Sequence, residues 1–307
     1  MTRPATRPKL AVTLGDPAGI GPEIVRAAMV NTRVLTTCDL VIVGPEGTGT
    51  KVDESVGKWT PGRTDDPDNR GGSSPGVLAI KAIERAVMLA QRGEVAGIVT
   101  APIDKHELHL AGSTDPGHTE MLARLTGVPV AMMLASDRLR VILATTHIAL
   151  RDVPTMLTKA RITATAQIAK QGLRDWYGIA EPRIALCALN PHAGDQGRFG
   201  SEDDLVLAPA AREAGIAGPF PADTVFVRAM NGEFDAVIAP YHDVGMTAIK
   251  VASFGSAVNV TLGLPWPRTS PDHGTAKDIA GTGRANSESM VLAILECARI
   301  AKVIHGS

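Results

Sequence analysis

Short aliphatic runs alternate with helical patterns along most of the chain, and this alternation restricts the fold more than any other feature of the sequence. Runs typical of buried strands cover residues 9–15, 39–44, 96–102, 140–147, 183–192 and 235–243. Helical patterns lie between them, at residues 19–30, 77–93, 155–176 and about 202–215. Alternation of this kind predicts an α/β fold with a mostly parallel sheet.

The length and composition predict two lobes with aliphatic cores. The chain has 307 residues, which exceeds the size at which a single hydrophobic core usually keeps growing. Hydrophobic residues make up 44% and aromatic residues only 3%. With 31 basic and 32 acidic side chains the formal charge is -1, so no strong field would attract nucleic acid or an anionic membrane. We therefore expect binding at local sites.

The cysteines and the N-terminal sequence indicate a cytoplasmic protein. Cys38, Cys187 and Cys297 lie far apart without a CxxC spacing, which is typical of buried thiols in a reducing compartment. The N-terminal residues lack the apolar core of a signal peptide, and no apolar stretch is long enough to span a bilayer. Segment 44–74 is rich in Gly, Asp, Pro and Ser, and we expect a surface excursion there.

Three histidines follow predicted strands, where ligands of parallel sheets usually bind. They are His147, His192 and His242, and their convergence would create a catalytic site for a divalent metal. Each of them singly is also compatible with a hydrogen-bonded structural residue. Asp243 and Asp223 are candidates for additional ligands or for orienting groups, although loop aspartates also cap helices.

Two glycine-rich segments allow alternative interpretations. "GDPAGIGPE" (15–23) joins a strand to a helix, where backbone N–H groups favour an anion. Its order is not G-x-G-x-x-G, so the dinucleotide fingerprint fails and a tight structural turn is favoured. "SPDHGTAKDIAGTGRAN" (270–286) is neither a strand nor an amphipathic helix, which leaves a bare linker or a ligand-binding loop.

Several further polar residues are candidates for binding an anionic substrate. In "DPGHTE" the pattern predicts a helix start with Thr119 as its cap and His118 exposed. Lys250, Asn259 and Arg268 stand among apolar neighbours. Arginine and lysine so placed can clamp a phosphate, although each residue alone could equally be a solvated surface group.

Nine ordered motifs together resemble one family. They are "LGDPAGIGPE", "TAPIDK", "GHTE", "LATTHIALRD", "LNPHAGD", "PADTVF", "DAVIAPYHDVG", "VNVTLGLPWPRTS" and "DHGTA". The chain resembles the 4-hydroxythreonine-4-phosphate dehydrogenase family over nearly its whole length, most weakly across 44–74. The resemblance implies NAD- or NADP-dependent oxidative decarboxylation of a phosphorylated β-hydroxy acid. The expected reaction converts 4-(phosphooxy)-L-threonine to 3-amino-2-oxopropyl phosphate and carbon dioxide, on the route to pyridoxal phosphate.

The resemblance also implies roles for individual residues. It assigns one divalent ion (zinc, magnesium, manganese or cobalt) to the three histidines His147, His192 and His242. It assigns the substrate to His118, Thr119, Lys250, Asn259 and Arg268. It makes 270–286 an adenosine-binding loop, with cofactor contacts from His273, Gly274, Asp278 and Asn286. The sequence does not name the general base, for which Lys250, Asp243 and Asp223 are the candidates.

The implied fold is similar to that of isocitrate and isopropylmalate dehydrogenases, with two α/β/α sandwich lobes and a homodimer that shares its active sites. We expect a cofactor-side lobe from residues 1–110 and 250–307. Residues 111–249 are expected to form a lobe for metal and substrate binding and for dimerisation.

The chain departs from the vitamin-pathway pattern at Asp104, Pro116, Val244 and Pro271. These departures resemble a subgroup that oxidises D-threonate or D-erythronate 4-phosphate and yields dihydroxyacetone phosphate. A related aromatic cis-dihydrodiol dehydrogenase lacks the phosphate-clamping residues that this chain retains. Outside this family, the remaining alternatives are a redox-free acyl or phosphoryl transferase and a non-catalytic binder of phosphorylated metabolites.

Overall fold

A computed structural model describes residues 7–60, 74–253 and 255–306. Eleven strands lie in these ranges, and in chain order they are β1 (Lys9–Thr13), β2 (Asp39–Glu46), β3 (Glu54–Lys58), β4 (Gly97–Thr100), β5 (Ala131–Ala135), β6 (Arg140–Leu143), β7 (Ile184–Cys187), β8 (Ala217–Phe220), β9 (Ala236–Ala239), β10 (Val258–Leu262) and β11 (Arg268–Ser270).

The helices of the described residues are α1 (Gly21–Met29), α2 (Thr32–Thr37), α3 (Pro75–Gln91), α4 (Lys105–Leu110), α5 (His118–Thr126), α6 (Val153–Met156), α7 (Lys159–Tyr177), α8 (Ala208–Ala214), α9 (Ala222–Met230), α10 (His242–Ser253) and α11 (Glu288–His305). Short 3-10 turns occupy Leu150–Asp152, Pro191–Gly194 and Lys277–Ile279, and a π turn occupies Asp203–Leu207. Within the described ranges, none of these helices is both long and apolar enough to cross a membrane.

The chain divides into two compact units. Unit 1 contains residues 1–128 and 264–307, and unit 2 contains residues 129–263. The division by sequence also used one discontinuous lobe, but it assigned residues 111–128 and 250–263 to the opposite lobes. Contacts explain their places, because α5 packs with α3 in unit 1 and β10 pairs with β5 in unit 2.

Unit 1 is built on a fully parallel sheet with strand order β3-β2-β1-β4-β11. Leu10, Ala11 and Val12 are consecutive in β1 and all fully buried, so both faces of the sheet are covered. Helices α3 and α11 supply much of this cover. Ser74 caps α3 by accepting a hydrogen bond from the Val77 amide. Because β1 and β4 are parallel neighbours, their carboxyl ends lie side by side.

Unit 2 contains a mixed sheet with strand order β10-β5-β6-β9-β7-β8. The pairs β10–β5 and β5–β6 are antiparallel, whereas β6–β9, β9–β7 and β7–β8 are parallel. Val237 and Ala239 of β9 join a core with Val225, Phe226 and Ile249 from helices α9 and α10. Because β6, β9 and β7 are neighbours and parallel, their carboxyl ends share one edge.

The predicted α/β class is confirmed, and each of the six predicted strands overlaps an observed strand. Sequence periodicity did not predict β5, β8, β10 and β11, and it did not anticipate the antiparallel pairs. Segment 44–74 is predicted to be a surface excursion, and within it β3 forms an edge strand, exposed in part, that pairs with β2. The rest of that expectation concerns residues 61–73, which lie outside the described residues.

Candidate functional site

Two of the three predicted metal ligands lie close together in unit 2. His147 follows β6 and His242 is the first residue of α10, which follows β9. Their ring centroids are 5.5 Å apart. Asp243 Oδ1 lies 2.7 Å from Nδ1 of His242, in the position of a carboxylate that orients a ligating imidazole. The adjacency of β6 and β9 thus brings together side chains that are remote in sequence.

His192 lies in a loop with an unusual backbone. Residues 192–197 all have positive φ angles, beginning with His192 at 52°. Such angles are costly for residues other than glycine and persist only where the surroundings enforce them. The fully buried carboxylate of Asp203 accepts hydrogen bonds from the amides of Leu189 (2.8 Å) and Asn190 (3.0 Å), and also from Asn190 Nδ2. Asp203 therefore fastens the start of this loop.

Within the described part of a single chain, no group of three or more His, Cys, Asp or Glu side chains is arranged to hold a metal ion. The structure brings together His147 and His242 but does not add His192 to them. Two close imidazoles, one with a carboxylate on its Nδ1, fit a divalent ion as donors, although they make an incomplete ligand set. The three-histidine site stays a prediction for the single chain.

The remaining candidates of unit 2 lie on separate elements. Asp223 is exposed in the first turn of α9, and Lys250 is exposed in the last turn of α10. Asn259 lies in β10, and its Oδ1 atom is buried without a hydrogen-bond partner among the described residues. An orphaned buried acceptor of this kind is compatible with a bound ligand.

A buried cation in unit 1 forms a candidate anion site. Arg268, at the start of β11, is 1% exposed and donates a hydrogen bond from Nη2 to Thr100 Oγ1 at the end of β4. Burial lowers the pKa of Arg268 to about 10, so the guanidinium is still charged at neutral pH. Burial and the charge of Arg268 lower the pKa of His118 well below its usual range, and its Nε2 atom is buried without a partner in the described chain.

The predicted cap of this helix is wrong. Helix α5 begins at His118, its N-cap is Gly117, and no side chain caps it. Thr119 is therefore inside the first turn, and His118 is half-buried rather than exposed. Gly117 is extended, so the helix starts two residues earlier than a threonine cap at position 119 would place it. The amides of the first turn then lie beside His118, as expected at an anion site.

We call residues 270–286 the cofactor loop, after the role predicted from the sequence. Residues 15–23 are the anchor segment, on which this loop packs. The Ile20 amide donates to the carbonyl of Thr275 at 2.9 Å. The Glu23 carboxylate accepts from the amides of Gly281 (3.0 Å) and Ala285 (3.2 Å). A Cβ at Gly19 would lie 2.9 Å from Thr275, so only glycine allows this approach. The favoured turn interpretation of "GDPAGIGPE" is confirmed.

The predicted cofactor residues are spread along this loop. His273 Nε2 is buried without a partner among the described residues, whereas Gly274, Asp278 and Asn286 are exposed. Asn286 also accepts a hydrogen bond from the Glu288 amide, which supports the start of α11. An orphaned imidazole nitrogen beside exposed backbone fits a polar cofactor, and it argues against a bare linker.

The roles of four residues that shape these sites were not predicted from the sequence: Asp16, Asp104, Asp203 and Lys277. Lys277, within the cofactor loop, contacts Asp16 of the anchor segment, and also Asp104. Asp203 holds the His192 loop. The useful signal was positional, since Asp16 and Asp104 follow the adjacent strands β1 and β4. Their common partner could not be identified without the fold.

The α/β sheets carry paired imidazoles, a buried arginine and a glycine-rich loop near the ends of their strands, which is where α/β enzymes usually bind their ligands. A family model described as pyridoxal phosphate biosynthetic protein PdxA matches residues 57–297, and the chain belongs to this family. The predicted family and the predicted class, an oxidoreductase acting on a CH–OH group, are confirmed.

Relatives with two different names are similar to this chain. The 4-hydroxythreonine-4-phosphate dehydrogenase of Desulfosudis oleivorans is 42% identical over 319 residues, which covers 94% of each protein. The D-threonate 4-phosphate dehydrogenase of Salmonella typhimurium is 41% identical over 317 residues, 93% of this chain and 96% of the relative. The crystal structure of 4-hydroxythreonine-4-phosphate dehydrogenase from Klebsiella pneumoniae matches with a TM-score of 0.81 and 40% identity, covering 96% of this chain and 99% of that one.

Proposed function

We propose that the protein catalyses the NAD- or NADP-dependent oxidative decarboxylation of a 4-phosphorylated β-hydroxy acid. The preferred substrate is 4-(phosphooxy)-L-threonine, and the products are 3-amino-2-oxopropyl phosphate and carbon dioxide. The observation that carries this proposal is the buried Arg268 beside a His118 that burial keeps neutral, at the start of helix α5. The names of the relatives support the same chemistry.

The residues of unit 1 would hold the phosphate group. Arg268 presents a planar donor set that matches phosphate oxygens, in surroundings where water competes poorly. A neutral His118 can donate one further hydrogen bond without adding a second buried positive charge. Thr119 lies in the same helix turn, where its amide and hydroxyl complete the donor set.

The residues of unit 2 would hold the reacting end of the substrate. When bound, a divalent cation supplies Lewis-acid stabilisation of developing negative charge, and NAD or NADP accepts the hydride. His147 and His242 would be protein ligands of that cation, and Asp243 favours the His242 tautomer with the proton on Nδ1. Asn259 and Lys250 are proposed substrate contacts. The general base that takes the hydroxyl proton would be Lys250, Asp243 or Asp223.

We further propose a cytoplasmic homodimer with shared active sites. His192 does not join His147 and His242 within one chain, and its loop is exposed in part, so a second chain could supply it. Exposed apolar side chains follow His147 and His192 in the chain, and they include Leu150, Phe199 and Leu205. Their exposure supports burial against a partner chain. The cysteines Cys38, Cys187 and Cys297 are buried free thiols, which supports a reducing compartment.

D-threonate or D-erythronate 4-phosphate is the second candidate substrate. The Salmonella relative named for D-threonate 4-phosphate and the departures at Pro116, Val244 and Pro271 favour it. The fourth departure, Asp104, has a structural role, because its carboxylate caps α4 and pairs with Lys277 in unit 1.

Turnover measurements distinguish these possibilities. The purified protein is incubated with NAD or NADP, one divalent metal at a time, and each of the three phosphorylated acids, while nicotinamide reduction is followed by absorbance. We expect reduction with at least one acid and carbon dioxide release in equal amount. Absence of reduction with every acid, metal and cofactor would exclude the dehydrogenase and favour the redox-free transferase or the binding protein.

A further inference from the structure

Lys277 of the cofactor loop lies among three carboxylates. Its Nζ atom is 2.7 Å from Asp104 Oδ2, 3.1 Å from Asp16 Oδ2 and 3.2 Å from Glu107 Oε1. Asp16 and Asp104 follow β1 and β4, adjacent parallel strands of unit 1, and Glu107 lies in the first turn of α4. A single side chain therefore links the loop to two strand ends and a helix.

The environment makes this contact stronger than a surface ion pair. Asp16 is 1% exposed, and burial raises its pKa despite the Ala18 amide and Lys277. The hydrogen bond from Lys277 is the main cause that lowers the pKa of Asp104. Burial opposes the charge on Lys277, but the hydrogen bonds and charges of Asp104 and Asp16 outweigh it and raise its pKa. Removing the lysine would leave Asp16 as a buried carboxyl without its cationic neighbour.

The backbone next to Lys277 is held in an unfavourable conformation. Ala276 has a φ angle of 40°, in the left-handed region that residues with a Cβ seldom occupy. The loop is fastened on both sides of this residue, by the Ile20–Thr275 hydrogen bond before it and by the Lys277 ion pairs after it. Strain of this kind persists only where neighbouring contacts enforce it.

We propose that Lys277 is a positioning residue that clamps the cofactor loop onto the ends of β1 and β4 and so preorganises the cofactor contacts of His273 and Gly274. The part that concerns the cofactor depends on the proposed function. Because its ammonium group is engaged by carboxylates, Lys277 acts through the loop rather than by contacting a cofactor phosphate. The benefit is a smaller ordering cost when the cofactor binds.

Hydrogen exchange of the free protein tests the clamp without any cofactor. In Lys277→Met the amides of Gly281 and Ala285, which donate to Glu23, should exchange about tenfold faster as the loop opens more often. Lys277→Arg should restore most of the protection. Lys81→Met, which removes an exposed lysine of α3 in the same unit, is the matched control and should leave these amides unchanged. Unchanged exchange in Lys277→Met would overturn the clamp.

The affinity for NAD or NADP tests the expected effect of the Lys277 clamp on cofactor binding. If the loop conformation that can bind the cofactor falls to about a tenth of the population, the Kd for NAD or NADP rises about tenfold. We expect KM for the cofactor to rise likewise in Lys277→Met while kcat changes less than threefold. Asp104→Asn, which keeps the α4 cap but removes a charge, should shift both readouts in the same direction. Loss of kcat with unchanged cofactor affinity would overturn the positioning role. If the wild-type protein binds neither NAD nor NADP, the proposed function is refuted, and with it the cofactor part of this proposal. The clamp itself is tested separately by hydrogen exchange.

Discussion

Arg268 is the residue on which substrate recognition depends most directly. Removing a charge-assisted hydrogen bond from a buried site costs about 1.5–3 kcal/mol, which corresponds to roughly a 10- to 150-fold change. We expect Arg268→Met to lower kcat/KM for the phosphorylated acid by at least this factor. Steady-state kinetics at saturating cofactor measure it, with Arg33→Met, which breaks an exposed pair with Glu288, as the control. An equal loss with the unphosphorylated acid would contradict a role in phosphate binding.

His118 should make stability depend on pH. Its folded-state pKa is far below the ordinary value of 6.5 because burial and Arg268 disfavour the imidazolium. Above pH 6.5 both folded and unfolded states are neutral at this residue, so it contributes nothing there. As the pH falls below 6.5 the unfolded state takes up a proton first, and folding stability is lost.

Thermal unfolding between pH 7.5 and 5 checks this expectation. The Tm of wild type should fall faster with acidification than the Tm of His118→Gln, which cannot titrate. His106→Gln, an exposed histidine of α4, should behave as wild type does. Parallel Tm curves for wild type and His118→Gln would show that the His118 imidazole does not resist protonation in the folded state.

At the scale of elements, the conformation of the His192 loop (residues 190–197) depends on the buried carboxylate of Asp203. Asp203→Ala removes the acceptor of two backbone amides, and each buried amide left without a partner costs roughly 1–3 kcal/mol. We expect a loss of at least this size in the free energy of unfolding by denaturant, together with weaker retention of the divalent metal. Asp204→Ala, at the exposed neighbouring position, is the control. Similar stabilities for the two variants would refute the role given to Asp203.

At the scale of elements, the sequence patterns predicted only part of the fold. The alternation of strands and helices predicted the elements that are long or fully apolar, including β1, β9 and α3. The patterns could not predict that α10 begins at His242, because the histidine continues an apolar run and its orientation depends on α10 packing against β6 and β9. They also could not predict the left-handed path at His192, which Asp203 enforces from a distance along the chain.

At the scale of the whole molecule, shared active sites predict complementation between inactive chains. His147→Ala and His192→Ala should each abolish turnover and weaken metal retention, while cofactor still binds. If one chain supplies His147 and His242 and its partner supplies His192, a heterodimer of these variants contains one intact site. Its activity should be about half that of wild type, because a two-fold dimer has two equivalent sites.

Co-expression with two different affinity tags isolates the heterodimer for this measurement. Mixed dimers of two His192→Ala chains serve as the control and should stay inactive. An inactive heterodimer of His147→Ala and His192→Ala would indicate that each site is formed within one chain, and sedimentation would then establish whether the protein is a dimer at all.

The sequence by itself determined the α/β class, the aliphatic cores and the family, because these depend on local periodicity and on motifs that survive as short strings. It also named the histidines, the arginine and the loop from which the sites are built. Only the tertiary structure decided which of them meet: His147 with His242, Arg268 with Thr100, and Lys277 with Asp16 and Asp104. The physical reason is that strand order and register bring distant residues together, and neither is encoded in the local pattern of any one strand.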